Sequence, residues 1–274
     1  MSAAAPAIPR LERVGRVTQL RVMLSEWTKL STVRSTRWSL FAAVLLTIGL
    51  PALFAAVTSS HWGTMSAHDR ADRHPLDIAL AGVNVSQLAI AVLGVLTITA
   101  EYSTGMIRST MIAVPKRLPV LWAKTIVYAV VALVLMVPSV LIAFAASQTI
   151  LARHDILQIS LSQGSVTRSV IGGAVYLVLV GIFALALGAI TRNTAGGIAV
   201  FAAIFFVIPP LMNILPTSWN NAISPYLPSE AGRQIFSLVP ATHSLSPAAG
   251  GGLFAGYCAV AIAIAAVLLV RRDT

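Results

Sequence analysis

Six stretches of this chain, 38–58, 79–100, 125–147, 169–191, 197–215 and 250–270, contain no aspartate, glutamate, lysine, arginine or histidine. A helix rises about 1.5 Å per residue, so roughly 20 apolar residues cross the ~30 Å hydrocarbon core of a bilayer. Each stretch is long enough. Strands of a transmembrane barrel would read as segments of about ten residues alternating apolar and polar, whereas these runs are apolar on every face. Backbone in hydrocarbon must satisfy its own hydrogen bonds. The sequence therefore predicts an all-α integral membrane protein with six transmembrane helices. Composition agrees, since only 10% of the 274 residues are charged, against about 25% in soluble domains.

The basic residues set the orientation, because cytoplasmic loops carry an excess of lysine and arginine. Six spans put both termini on one side. That side receives Arg10, Arg13, Arg16, Arg21, Lys29, Arg34, Arg37, Arg108, Lys116, Arg117, Lys124, Arg192, Arg271 and Arg272. The other side receives only Arg70, Arg73, Arg153, Arg168 and Arg233. Both termini are expected in the cytoplasm, and the alanine- and valine-heavy usage suggests a GC-rich bacterium, with the chain in its plasma membrane. The formal charge of +10 thus reads as a topology signal, and no nucleic-acid partner is expected. Cys258 is the single cysteine, which excludes an internal disulfide and a cysteine metal cluster. Residues 1–18 read as a tail, without a cleavable signal peptide, and 271–274 as a short cytoplasmic C-terminus.

Residues 19–34 do not span. Leu20, Met23, Leu24, Trp27 and Leu30 fall on one helical stripe, with Arg21, Ser25, Thr28, Lys29 and Thr32 opposite. This pattern predicts an amphipathic helix in the membrane interface, with Glu26 and Lys29 paired at i, i+3.

Chemistry inside membranes needs costly polar groups, and the six cores hold no titratable acid, base or histidine. There is no HExxH, no paired intramembrane aspartate, no Ser–His constellation and no GxxxxGK[ST] phosphate loop. An enzyme and an ion-coupled pump are both disfavoured, and no catalytic residue, cofactor or metal is expected. His68, Asp72 and His74 lie in a polar external loop, read as solvated rather than as a metal site. Asn84 and Gln87, one turn apart in the second span, are read first as packing groups and second as candidate path-lining residues. Pro51, Pro138, Pro209 and Pro210 are expected to kink or end their helices. Gly181, Ala184 and Gly188 form a small-residue stripe that allows close approach.

Between the second and third spans lies EYSTGMIRSTMIAVPKRLPVLWAK, residues 101–124. Thr104 is expected to cap a short helix from Gly105 to Ala113, ended by Pro115. Met106, Ile107, Met111 and Val114 would form its apolar side, with Arg108 elsewhere. Lys124 is expected to snorkel at the base of the third span. Such a helix fits a groove on a partner better than it fits a plain connection.

Glu101-Tyr102-x-x-Gly105 after the second span, a short helix through Thr110, then Pro115, Arg117 and Lys124 resemble the membrane subunits of ABC-2-type exporters, small bacterial permeases of six spans. SEWTKL (Ser25 to Leu30) and ISPYLP (Ile223 to Pro228) extend the resemblance over nearly the whole chain. The resemblance implies a coupling helix, in which Gly105, Met106, Ile107, Arg108, Met111 and Pro115 dock a separate cytosolic ABC ATPase while Glu101 is braced by Arg108 or Lys124. It also implies a connecting helix carrying Leu20, Leu24, Glu26, Trp27 and Lys29. ATP and Mg would be bound by the ATPase. A second copy, or a paralogous permease, would complete a path for a hydrophobic or amphiphilic substrate such as a drug, a lipid or a peptide antibiotic. The residues alone leave open a stand-alone helical membrane protein, channel-like or scaffolding, without ATP coupling.

Overall fold

The computed structural model describes residues 18–71, 73–106, 117–154, 156, 158–238 and 243–271. Helix α1 (Gln19–Thr32) leads into α2 (Arg34–His61). A 3-10 turn and the short α3 (Ala67–Ala71) connect to α4 (Pro75–Ser103), then come α5 (Arg117–Ala152) and α6 (Gly164–Thr191). The fifth span is interrupted: α7 (Thr194–Ala202), a π turn at Ala203–Val207, then α8 (Ile208–Met212). Two short helices, α9 (Thr217–Ile223) and α10 (Pro228–Arg233), precede α11 (Pro247–Arg271). Six of these helical segments are long and apolar enough to cross a membrane. They run past the charge-free stretches at most ends, because the polar flanks keep helical geometry. Among the described residues there is no strand.

Burial ranks the spans. In α6, 78% of the apolar window is buried and in α4 67%, against 22% for α2 and 17% for the fifth span. Helices α4 and α6 are thus the central pair, with α2 and α5 packed on α4 and α11 on α6. Their backbones touch where small residues allow it. A Cβ at Gly94 would overlap the carbonyl oxygen of Gly181, and one at Gly188 would come within 3.0 Å of the Val95 carbonyl. Ala184, between them on α6, is fully buried. Without a hydrophobic driving force in lipid, this close packing is what holds such helices together.

Of the four prolines, Pro51 and Pro138 lie within unbroken helices, and only Pro209 and Pro210 come close to a helix end. Pro51 cannot donate to the Thr47 carbonyl one turn earlier, and Gly82 of α4 fits against that freed turn: a Cβ there would meet Pro51 Cδ and Thr47 O, each at 2.7 Å. Beside it the Thr47 hydroxyl bonds the Ser86 hydroxyl at 2.8 Å. Pro209 and Pro210 follow the π turn directly, as expected when carbonyls four residues upstream lose their donors, and the helix ends at Met212. Pro138 stays inside a continuous α5.

Candidate functional site

The end of the bundle that carries α1 holds four charged side chains from three elements. Lys29 Nζ lies 2.7 Å from Glu26 Oε1 and 2.7 Å from Glu101 Oε1. Lys124 Nζ lies 2.6 Å from Glu26 Oε2 and 2.7 Å from Glu101 Oε1. The four form a closed ring of alternating sign with no net charge. Glu26, Glu101 and Lys124 are each at most 3% exposed. A charge this deep is tolerated only when paired and hydrogen-bonded, and here every member has two partners. Lys124 also points at the Thr97 carbonyl, 3.4 Å away.

Lys29 sits at the rim of the ring. Burial alone lowers the pKa of its ammonium, but hydrogen bonds and charge from Glu101 and Glu26 outweigh it and raise the pKa above the usual lysine value. Glu101 Oε1 accepts from both lysines, while its Oε2 is buried with no hydrogen-bond partner.

Two sequence expectations change here. Lys124 does not snorkel: it is 2% exposed, because two carboxylates stabilise its charge where solvent would otherwise have to. On α1 the outcome is narrower: Leu30, at the edge of the expected apolar stripe, is buried against the bundle with Val22 and Glu26, while Leu20, Leu24 and Trp27 are exposed by 66%, 57% and 52%. The face that packs is centred on Glu26, since only there do partners from α4 and α5 converge. Val22 clusters with Val120 and Ala123 of α5, and Gln19 donates to the Pro119 carbonyl at 3.0 Å.

Thr104 is the C-cap of α4, its hydroxyl donating to the Ala100 carbonyl at 2.8 Å. Gly105 follows with φ of 71°, the left-handed conformation that ends helices and that glycine adopts without a Cβ penalty. Met106 is exposed. Ile107, Arg108, Met111 and Pro115, with the rest of the expected coupling helix, lie outside the described residues. The ring and the Gly105 turn therefore stand at the two roots of that segment.

Arg192, which the sequence marks only as a base, joins this end to the last span. It caps α6 in the left-handed conformation with φ of 54°. Its guanidinium lies 5.3 Å from the centre of the Tyr102 ring and donates to the Leu268 carbonyl of α11 at 3.4 Å. Glu101 and Tyr102 thus reach opposite neighbours, the first α1 and α5, the second α6.

At the far end, Gln87 is buried and engaged. Its amide donates to the Asn84 carbonyl at 2.8 Å and its oxygen accepts from the buried Tyr176 hydroxyl. Asn84, one turn nearer the end, lines a cleft. Among the described residues no group of three or more histidine, cysteine, aspartate or glutamate side chains is placed to hold a metal ion, and Asp72 lies outside them.

Compared with models of known protein families the chain matches none, and no curated protein matches its sequence.

Proposed function

We propose that this chain is the membrane-spanning subunit of an ATP-driven exporter, in which a separate cytosolic ABC ATPase supplies the energy and this chain, paired with a second copy or a paralogue, forms the path. The observation that carries the reading is the ring Glu26–Lys29–Glu101–Lys124. It joins α1, the end of α4 and the start of α5 into one rigid body. A force applied to the segment between Gly105 and Arg117 would move that body as a unit, since separating any one of its four mutually paired charges would strand another in the interior.

In this reading α1 is the connecting helix. Leu20, Leu24 and Trp27 face the lipid interface, while Arg21, Ser25 and Thr28 face the cytoplasm. The segment that follows Gly105 is the coupling segment, with Met106, Ile107 and Met111 seated in the ATPase and Arg108 at its edge. The substrate is hydrophobic or amphiphilic, ATP and Mg are bound by the partner, and this chain itself catalyses nothing. Both termini lie in the cytoplasm of a bacterium, as the distribution of bases requires.

The test is reconstitution with the candidate ATPase in lipid. Wild type should bind it and stimulate ATP hydrolysis, and the Met106→Asp, Ile107→Asp variant should do neither. An ATPase that ignores the chain, or treats the variant as wild type, would favour the stand-alone bundle.

A further inference from the structure

We infer that the exposed stripe Arg34–Arg37–Trp38–Phe41 of α2 binds the head and upper acyl chain of an anionic phospholipid, because two unpaired guanidiniums stand there beside two exposed aromatic rings. The inference concerns the chain and its bilayer and does not rest on ATP coupling.

Spacing builds the stripe. Positions 37, 38 and 41 follow Arg34 by three, four and seven residues, which puts all four on one face of a helix. Together they line an open hollow of about 370 Å³. Trp38 and Phe41 meet edge to face, with ring centres 5.9 Å apart and planes at 87°, and are 70% and 57% exposed. Leu45, one turn further along, is also exposed and continues the face. Helix α2 packs on the bundle through other residues, Ala43, Thr47 and Pro51 among them.

The charge of this face is uncompensated. Among the described residues the carboxylates at this end of the bundle are Glu26 and Glu101, and the ring holds both. The side chains of Arg34 and Arg37 are exposed and make no ion pair or hydrogen bond among the described residues. Like charges three residues apart on a helix repel, and an anion between them relieves that repulsion. A phosphodiester matches the forked donors of arginine.

Depth selects the source of the anion. Arg37 is the last base before the charge-free stretch 38–58, so its guanidinium reaches the headgroup level, while Phe41 lies one turn inside hydrocarbon. Free phosphate or a soluble protein would meet the arginines and leave the rings uncovered, whereas a phospholipid covers both. A zwitterionic lipid brings its own cation to cancel the phosphate, so a lipid of net negative charge is favoured. A second copy is a poor occupant, since two-fold pairing through this stripe sets guanidinium against guanidinium.

The test uses the full chain with every tryptophan except Trp38 replaced by phenylalanine, in nanodiscs of phosphatidylcholine. Phosphatidylglycerol or phosphatidylcholine with brominated acyl chains is added at equal mole fraction, and quenching of Trp38 fluorescence is read. Phosphatidylglycerol should be enriched at Trp38 at least about fivefold, as two bases near the headgroups imply. Arg34→Gln with Arg37→Gln should abolish that preference and leave quenching by brominated phosphatidylcholine unchanged. A chain that keeps only Trp219, exposed at the far end of the bundle, should show no preference. Equal quenching by the two lipids, a preference that survives the double variant, or the same preference at Trp219 would overturn the inference. So would weak quenching by both lipids, which would mean that protein covers the stripe. Should the double variant melt lower than its parent, high salt decides instead: it should erase the preference of the parent chain, and a preference that persists there counts against the inference. No ATPase enters the assay, so this result and the export reading stand or fall separately.

Discussion

Lys124 and Glu26 are 98 residues apart in sequence, yet their charged atoms meet at 2.6 Å with neither side chain more than 3% exposed. That contact decides where α1 lies. A surface ion pair is worth at most about 1 kcal/mol, but a buried one that loses a partner strands a charge in a low-dielectric interior, at about 3–5 kcal/mol. Helix α1 is therefore tied to α5 more strongly than an amphipathic helix resting on lipid would be.

The first prediction follows from that asymmetry. Lys124→Met leaves Glu26 and Glu101 sharing Lys29 alone, and should lower stability by about 3–5 kcal/mol, measured by unfolding in mixed detergent. Adding Glu26→Gln to Lys124→Met removes the stranded charge, leaves Glu101 paired with Lys29, and should recover part of the loss. A double variant no better than Lys124→Met alone would show that the ring contributes only packing.

Close approach at Gly181 gives the second. Gly181→Leu must displace Tyr128 of α5, because even a methyl group at this position would overlap the Tyr128 hydroxyl, which reaches across to donate to the Ile90 carbonyl of α4 at 2.8 Å. Overpacking usually costs about 1–3 kcal/mol, and a lost Tyr128 bond adds to it. Gly256→Leu on α11 has open space around it and should be nearly neutral in the same assay.

Third, Tyr176→Phe removes the donor to Gln87 and leaves a buried amide oxygen unpaired, for about 1–3 kcal/mol. Adding Gln87→Leu removes the orphaned group as well, so the double variant should be more stable than Tyr176→Phe alone. A double-mutant cycle reads this directly.

The fourth concerns α1 and the bilayer. In a variant whose other tryptophans are replaced by phenylalanine, brominated acyl chains should quench Trp27 fluorescence, because its ring is 52% exposed and apolar rings at this depth seek the interface. Fluorescence instead quenched by aqueous iodide would place α1 in water.

Orientation provides the fifth. Cys258 is buried, so the native chain is a quiet background for thiol labelling. A cysteine at Ser103 should react with an impermeant maleimide only after the cell is opened, and one at Ser60 from outside. The opposite pattern would invert the topology.

Much of the architecture was legible in the sequence because membrane insertion is governed by local composition. A run of some twenty residues without a charge has few alternatives in water or lipid, and all six such runs are helical. The glycine and alanine stripe on α6 and the helix end just after Pro209–Pro210 were equally readable, since each depends on the geometry of its own residue. The site was less so. Glu26 and Lys29 could be paired by helical spacing, whereas for Glu101 the resemblance offered either Arg108 or Lys124. That the two pairs are one ring could not be read, because spacing says nothing about which face of α1 meets α5.

Sequence by itself determined the class of the protein, the number of spans and the asymmetry of charge between its two ends. These depend on transfer of each segment between water and hydrocarbon, a property of the segment alone. Tertiary structure decided that Lys124 is buried rather than snorkelling, that α1 packs through Glu26 rather than through Leu24 and Trp27, and that Asp77 shares a cleft with Glu230. Each of these depends on a partner far away in sequence, and the free energy of a buried charge is set by the groups that surround it.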